Sequence, residues 1–226
     1  FAGTDYARIV EAAAAEADVI LWDGGNNDFP FVRPDLHLVL VDALRPGHES
    51  GYHPGEAVLR SADVAIIAKS DSTSPKVVSE LAASVRLLNP TAPIVLGASP
   101  ITLSDPAAVY NRRVVVVEDG PSLAHGGMAF GAGYVAALEA GASKIVDPRP
   151  YATPALKELL ARYSHLGPVL PAMGYMPSHL DALARTLDAV PADVIVSATP
   201  ADLTSLMRLA KPVVRVTYEF AETGEP

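Results

Sequence analysis

Apolar positions follow two alternating rhythms along the chain. Short runs dominated by Val, Ile and Leu occur at 18–23 (DVILWD), 36–42, 63–71, 93–99, 113–119 (RVVVVED), 144–147, 169–174, 193–200 and 212–220. Their length and β-branched content predict strands, and near-continuous apolarity is typical of strands buried on both faces. Helix-favouring stretches separate them. Residues 4–17 have Thr4 as N-cap, and 74–89 have Ser74 as cap with Pro75 in the first turn. Further helices are predicted at 126–141 (stopped by Gly141), 153–163, 178–189 and 202–210. This alternation predicts an α/β fold, a mostly parallel sheet flanked by helices. The rhythm breaks at 99–112, so the expected division is 1–105 and an α/β C-terminal region at 106–226.

Composition narrows the function classes. Half of the 226 residues are hydrophobic and 19% are charged, enough for a well-buried core. Seventeen Lys and Arg face 26 Asp and Glu, a net charge of −9. That balance disfavours nucleic acid and anionic membrane surfaces, and leaves phosphate binding to local sites. The absence of cysteine excludes disulfides, thiolate metal sites and a cysteine nucleophile. No apolar run reaches the roughly 18 residues of a membrane span. A cytoplasmic enzyme or binding protein is the expectation. The chain opens FAGTDYARIV, as though a loop were already in progress, so a front portion of a larger protein is expected to precede it.

Loops after the carboxyl ends of parallel strands are where α/β proteins hold ligands. The first is Asp23-Gly24-Gly25-Asn26-Asn27-Asp28. An aspartate ending a buried strand suits Mg²⁺ beside a nucleotide, and glycine allows backbone to approach a phosphate. A plain Asx turn also favours Asp-Gly, but it does not require Asn26, Asn27 and Asp28 as well. The second loop, 42–49, offers Arg45 and His48 as cationic donors for an anionic substrate, against a simple solvated turn. Arg33 and His53 lie near it in sequence.

The third, Ala68-Lys69-Ser70-Asp71, stands where GTPases carry an Asn-Lys-x-Asp loop for the nucleobase; Ala68 replaces the Asn, which weakens guanine selectivity. In the fourth, Glu118 and Asp119 are candidates for a metal or a base. His125, Gly126 and Gly127 are candidates for an oxyanion at a helix start, where a capping role competes. No GxxxxGK followed by Ser or Thr occurs, so any nucleotide site here lacks its phosphate loop. The reading is an incomplete P-loop NTPase-like core, whose phosphate loop is expected in the missing front.

The blocks DVILWDGGNNDFPF, PDLHLVLVDALRPGHE, YHPGE, LRSADVAIIAKSD and EDGPSLAHGGMAFGAGYVAALEAGA together resemble the cyclic 2,3-diphosphoglycerate synthetase family, whose bacterial relatives are often labelled GTPases. The resemblance runs through nearly the whole chain. It implies a P-loop NTPase-like core with added α/β domains. It also implies ATP and Mg²⁺ as cofactors, and a ligase that closes the two phosphates of 2,3-diphosphoglycerate into a cyclic anhydride. By position, it implies Asp23 at Mg²⁺, Gly24 and Gly25 at the γ-phosphate, and Asn26, Asn27 and Asp28 at the reacting end. Lys69 and Asp71 fall near the base, and Arg45, His48 and His125, with Gly126 and Gly127, near the substrate.

The expected partner is a small anionic phosphorylated substrate, with a homodimer left open. Two other readings stand beside the ligase. One is a P-loop GTPase-type regulator or metallochaperone that binds a protein, although no CxxC or His-rich tract is present. The other is a folded remnant with weak anion affinity.

Overall fold

A computed structural model describes residues 2–224 except 26, 27, 121, 122, 125, 126, 173 and 175. It is a mixed α/β structure of parallel-rich sheets flanked by helices, and it divides into two units, Phe1–Ser99 with Phe220–Pro226, and Pro100–Glu219. Among the described residues no helix is long and apolar enough to cross a membrane.

The first unit opens with helix α1 (Tyr6–Ala14). Asp5, rather than the expected Thr4, caps it, its side chain accepting from the Arg8 N–H. Strand β1 (Leu38–Asp42), helices α2 (His48–Gly51) and α3 (Gly55–Arg60), and strand β2 (Val64–Ala68) follow. Helix α4 (Pro75–Leu88) leads to β3 (Ile94–Ala98). Ser74 caps α4 as expected, Pro75 occupies its first turn, and Val78, Leu81, Ala82 and Val85 form the 3.6-period stripe it buries. β1, β2 and β3 are parallel, in register from Leu38↔Val64 and Ala65↔Ile94, and β10 (Ala221–Gly224) closes the far edge antiparallel to β3. Val39, Val41, Ala65 and Ile67 pack under α3 and α4 on one face.

Asn89 locks the turn after α4. Its Nδ2 donates to the Leu59 and Ala62 carbonyls at 3.0 and 2.9 Å, and its Oδ1 accepts from the Ala92 N–H and the Thr91 hydroxyl. A buried amide with both ends satisfied fixes three chain segments at once.

One expected strand is absent. Residues 18–23 form no strand, and Val19, Ile20, Leu21 and Trp22 are 74, 45, 90 and 38% exposed. A strand requires a neighbour to bond, and β1 pairs only with β2 among the described residues.

The second unit is built on β5 (Arg113–Glu118), whose four valines are fully buried. The order is β4 (Ile101–Leu103), β9 (Val213–Tyr218), β8 (Val194–Ala198), β5, then the short β6 (Lys144–Ile145) and β7 (Val169–Pro171) along the far side of β5. All pairs are parallel except β4 with β9. Helices α5 (Ala132–Glu139), α6 (Pro154–Arg162), α7 (Pro177–Ala189) and α8 (Leu203–Leu206) connect them. From β5 the chain moves to β6 and β7 on one side, then returns to lay down β8 and β9 on the other. The β5–β8 boundary is therefore a topological switch point, the place where open α/β sheets leave a crevice beyond the strand ends.

Candidate active site at the strand ends

In the first unit, the carboxyl ends of β1 and β2 bring two of the candidate loops together. Asp42, the last residue of β1, is the hub. Lys69 Nζ donates to Asp42 Oδ2 at 2.7 Å, and Asp42 Oδ1 accepts the Leu44 N–H at 3.0 Å. Arg45 Nε lies 3.6 Å from Asp42 Oδ2, an ion pair beyond hydrogen-bond distance. That Nε is buried and has no hydrogen-bond partner among the described residues. Lys69 sits at φ 58°, in the left-handed region, which turns the chain sharply off β2. Two cations and one carboxylate leave the group with one net positive charge, half-shielded from water.

Asp71 faces the neighbouring strand instead. Its Oδ1 accepts from the Ser99 N–H at 3.2 Å, while Ser70 Oγ donates to the Gly97 carbonyl. His48 begins α2 after Gly47, whose φ of 91° reverses the chain, and its ring packs against Tyr52 at 4.7 Å. Glu49 braces the same loop, accepting from the Gly47 N–H and the Ser84 hydroxyl, each at 2.7 Å.

At the Asp23 corner, Gly25 and Asp28 are bonded to each other. Asp28 N–H donates to the Gly25 carbonyl at 2.9 Å, and Gly25 N–H returns to Asp28 Oδ2 at 3.2 Å. Asp23 is exposed, and Asn26 and Asn27 lie outside the described residues. Gly24 has a packing reason for its identity: a Cβ there would stand 2.6 Å from the Trp22 ring. Trp22 meets Phe31 edge-on, and Phe31 stacks on Tyr6 at 4.1 Å, so the corner rests on an aromatic brace. Among the described residues no cluster of three His, Asp or Glu side chains is arranged to hold a metal. Asp23 offers one exposed carboxylate that could serve as a ligand to Mg²⁺.

At the switch point of the second unit stands Glu118, 2% exposed. Its carboxylate accepts from the Gly131, Gly133 and Tyr134 N–H groups at 3.0, 3.2 and 2.8 Å. It thus caps α5 from the strand, since Gly131 has no side chain to do so. Burial pushes the Glu118 pKa up, the three backbone donors pull it down, and nearby Asp119 adds to the rise; the net shift is upward. Gly127 is at φ 63°, while His125 and Gly126 lie outside the described residues.

With this geometry in place, similarity to known proteins adds direction. No family model matches the chain. "Arginine synthetase ArcE" of Thermococcus kodakarensis is 50% identical to it over 226 residues, which is 100% of this chain and 50% of the relative. The chain therefore spans about half the length of the curated relative it matches.

The structure brings Arg45 and Lys69 together through Asp42. It ties Asp71 to the end of β3 and places His48 against Tyr52. Asp42 is the residue that sequence reasoning did not single out; Glu118, expected as a candidate for a metal or a base, accepts from the backbone at the start of α5. Both end strands: Asp42 closes LVLVD, and Glu118 closes RVVVVE ahead of a glycine-rich stretch. A carboxylate at the end of so apolar a run was the available signal.

Proposed function

We propose that the chain is part of an ATP-dependent ligase, and that the reaction forms arginine. The observation that carries this is 50% identity across every residue of the chain with a protein named arginine synthetase. A synthetase couples bond formation to a nucleoside triphosphate. ATP phosphorylates a carbonyl oxygen, a nitrogen nucleophile adds, and phosphate leaves. The protein's share is to hold the phosphates and suppress their charge.

In this reading Asp23 serves Mg²⁺, and Gly24 and Gly25 lie beside the γ-phosphate, with Asn26, Asn27 and Asp28 at the reacting end. Arg45, His48 and Lys69 supply positive charge, and Asp71 lies near the base. The net positive charge of the Asp42–Arg45–Lys69 group and the buried Arg45 Nε suit an anionic phosphate.

The sequence blocks shared with the cyclic 2,3-diphosphoglycerate synthetase family favour a second reading. There ATP first phosphorylates one substrate phosphate, and the neighbouring phosphate then displaces inorganic phosphate to close the anhydride. One experiment separates the two. The protein, at the length of its relative, is incubated with ADP, phosphate, Mg²⁺ and arginine, and ATP formation is followed in the reverse direction. A parallel sample receives ATP and 2,3-diphosphoglycerate and is followed by phosphorus NMR. Arginine-dependent ATP supports the first reading. A new cyclic anhydride signal without it overturns the first in favour of the second, and neither signal removes both. The 226-residue chain alone is expected to show little or no ATP turnover, because the sequence holds no phosphate loop.

A further inference from the structure

Parallel sheets are covered on both faces, because their crossover helices pack there. The sheet of the first unit departs from this. Along β1 the burial alternates: Val39 and Val41 are buried under α3 and α4, whereas Leu38 and Leu40 are 48 and 52% exposed. On β2, Val64 and Ile66 are only half-buried on the same open face.

The edge of β1 is open as well. The bonds from Val64 N–H to the His37 carbonyl and from Ala43 N–H to the Ala68 carbonyl frame the β1–β2 ladder. By the alternation of a parallel strand, they turn the Leu38 and Leu40 amides away from β2. No described strand lies on that side. The strand reads LVLVD, without the Lys, Pro or bulge that natural edges use to block pairing. In the same unit Val19 and Leu21 are 74 and 90% exposed, in a stretch with strand-like sequence. Open edge, open face and unpaired apolar segment occur in the same unit, and such a surface is rarely left in water.

We propose that the open edge and face of β1 are the docking surface for the half of the protein that corresponds to the unmatched half of the Thermococcus relative. That half lays a strand along Leu38–Asp42 and helices over Leu38 and Leu40. The relative carries as much chain outside the match as within it, ample for an α/β segment of this kind. A second copy of this chain fits less well: paired through β1 about a two-fold axis it supplies an edge strand but leaves the leucine face bare.

The test needs no turnover, so it stands or falls separately from the ligase reading. Amide hydrogen exchange is measured on the 226-residue chain and on the gene product that carries it at the relative's length. In the longer protein the Leu38 and Leu40 amides are expected to exchange about a hundredfold more slowly, or more slowly still. Leu40→Lys is expected to leave the Tm of the 226-residue chain unchanged and to lower that of the longer protein by about 2–4 °C or more. Leu87→Lys, at a position 84% exposed on α4, is the control that shifts neither. Equal exchange in the two forms overturns the proposal. So does a gene that encodes only these residues, or self-association of the 226-residue chain that gives the same protection.

Discussion

Glu118→Gln tests which of two opposed effects governs the buried carboxylate. Oε1 accepts from Gly131 and Tyr134, and Oε2 from Gly133. Glutamine retains an oxygen for the first two donors but turns its amide nitrogen, which cannot accept, onto the Gly133 N–H. One buried N–H is orphaned, at a cost of about 1–3 kcal/mol. The pH dependence follows from the raised pKa. A carboxyl held above its ordinary 4.5 binds its proton more tightly in the folded state than in the unfolded state. Wild-type stability from this group is therefore complete below about 4.5 and declines as pH rises toward the folded value. Glutamine does not titrate.

The deficit of the variant is thus expected to be largest near pH 4 and to narrow toward neutrality. Urea unfolding followed by far-UV circular dichroism at several pH values reads it directly. Amide exchange at Gly133 locates the orphaned group. A deficit that widens as pH rises would show that the three backbone donors outweigh burial, and would refute the reasoning.

Three further outcomes are expected. Asn89→Ala removes donors to Leu59 and Ala62 and the acceptor for Ala92, so the chain should lose about 3 kcal/mol or more in a denaturant titration, whereas an exposed Asn-to-Ala change costs little. Gly133→Ala would gain up to about 1 kcal/mol from helix propensity alone. Its Cβ, however, meets Val116 Cγ1 at 2.9 Å and Ala198 Cβ at 3.0 Å, so a net loss of about 1–3 kcal/mol is expected in thermal unfolding, and a gain would show that α5 can withdraw from the sheet. Asp193, hydrogen-bonded to the Arg113 side chain and backbone, is held down to about 2, so its contribution is present above 3.8 and lost as pH falls through that window. Asp193→Asn should erase that part of the acid transition, and an unchanged acid limb would dismiss the pair as a contributor.

What was legible in the sequence was whatever a strand or helix states about itself. RVVVVE is a fully buried strand, Ser74-Pro75 opens a helix, and the 3.6-period apolar set of α4 reaches the core. What was not legible depends on partners distant in sequence. DVILW has strand composition and forms none, because composition cannot report whether a neighbour is present to accept its bonds. Ile101–Leu103 and Ala221–Gly224 are too short to announce themselves. They become strands only through antiparallel pairing with Tyr218–Val216 and with Ala98–Leu96. The candidate site divides the same way. The strand-end loops were visible, but that Lys69 answers to Asp42, 27 residues away, and Asp71 to Ser99, belongs to the fold.

The strand-end polar groups differ in how far the chain satisfies them, and that difference separates structure from binding. Glu118 accepts three backbone donors and is closed to further partners on those bonds; it is bound into the frame of the second unit. Asp28 is bonded to Gly25 through its N–H and through Oδ2. The Asp42 group is different. Lys69 and Leu44 each donate to one oxygen of the aspartate, yet Arg45 Nε is left buried with its N–H unmatched and its charge only partly answered at 3.6 Å. An orphaned buried donor costs about 1–3 kcal/mol, and a charged one more. A ligand that accepts the bond relieves such a cost. An anionic oxygen accepting from Arg45 Nε would do so and would balance the net positive charge of the group. The proposed role in phosphate recognition rests on that physical ground at the ends of β1 and β2.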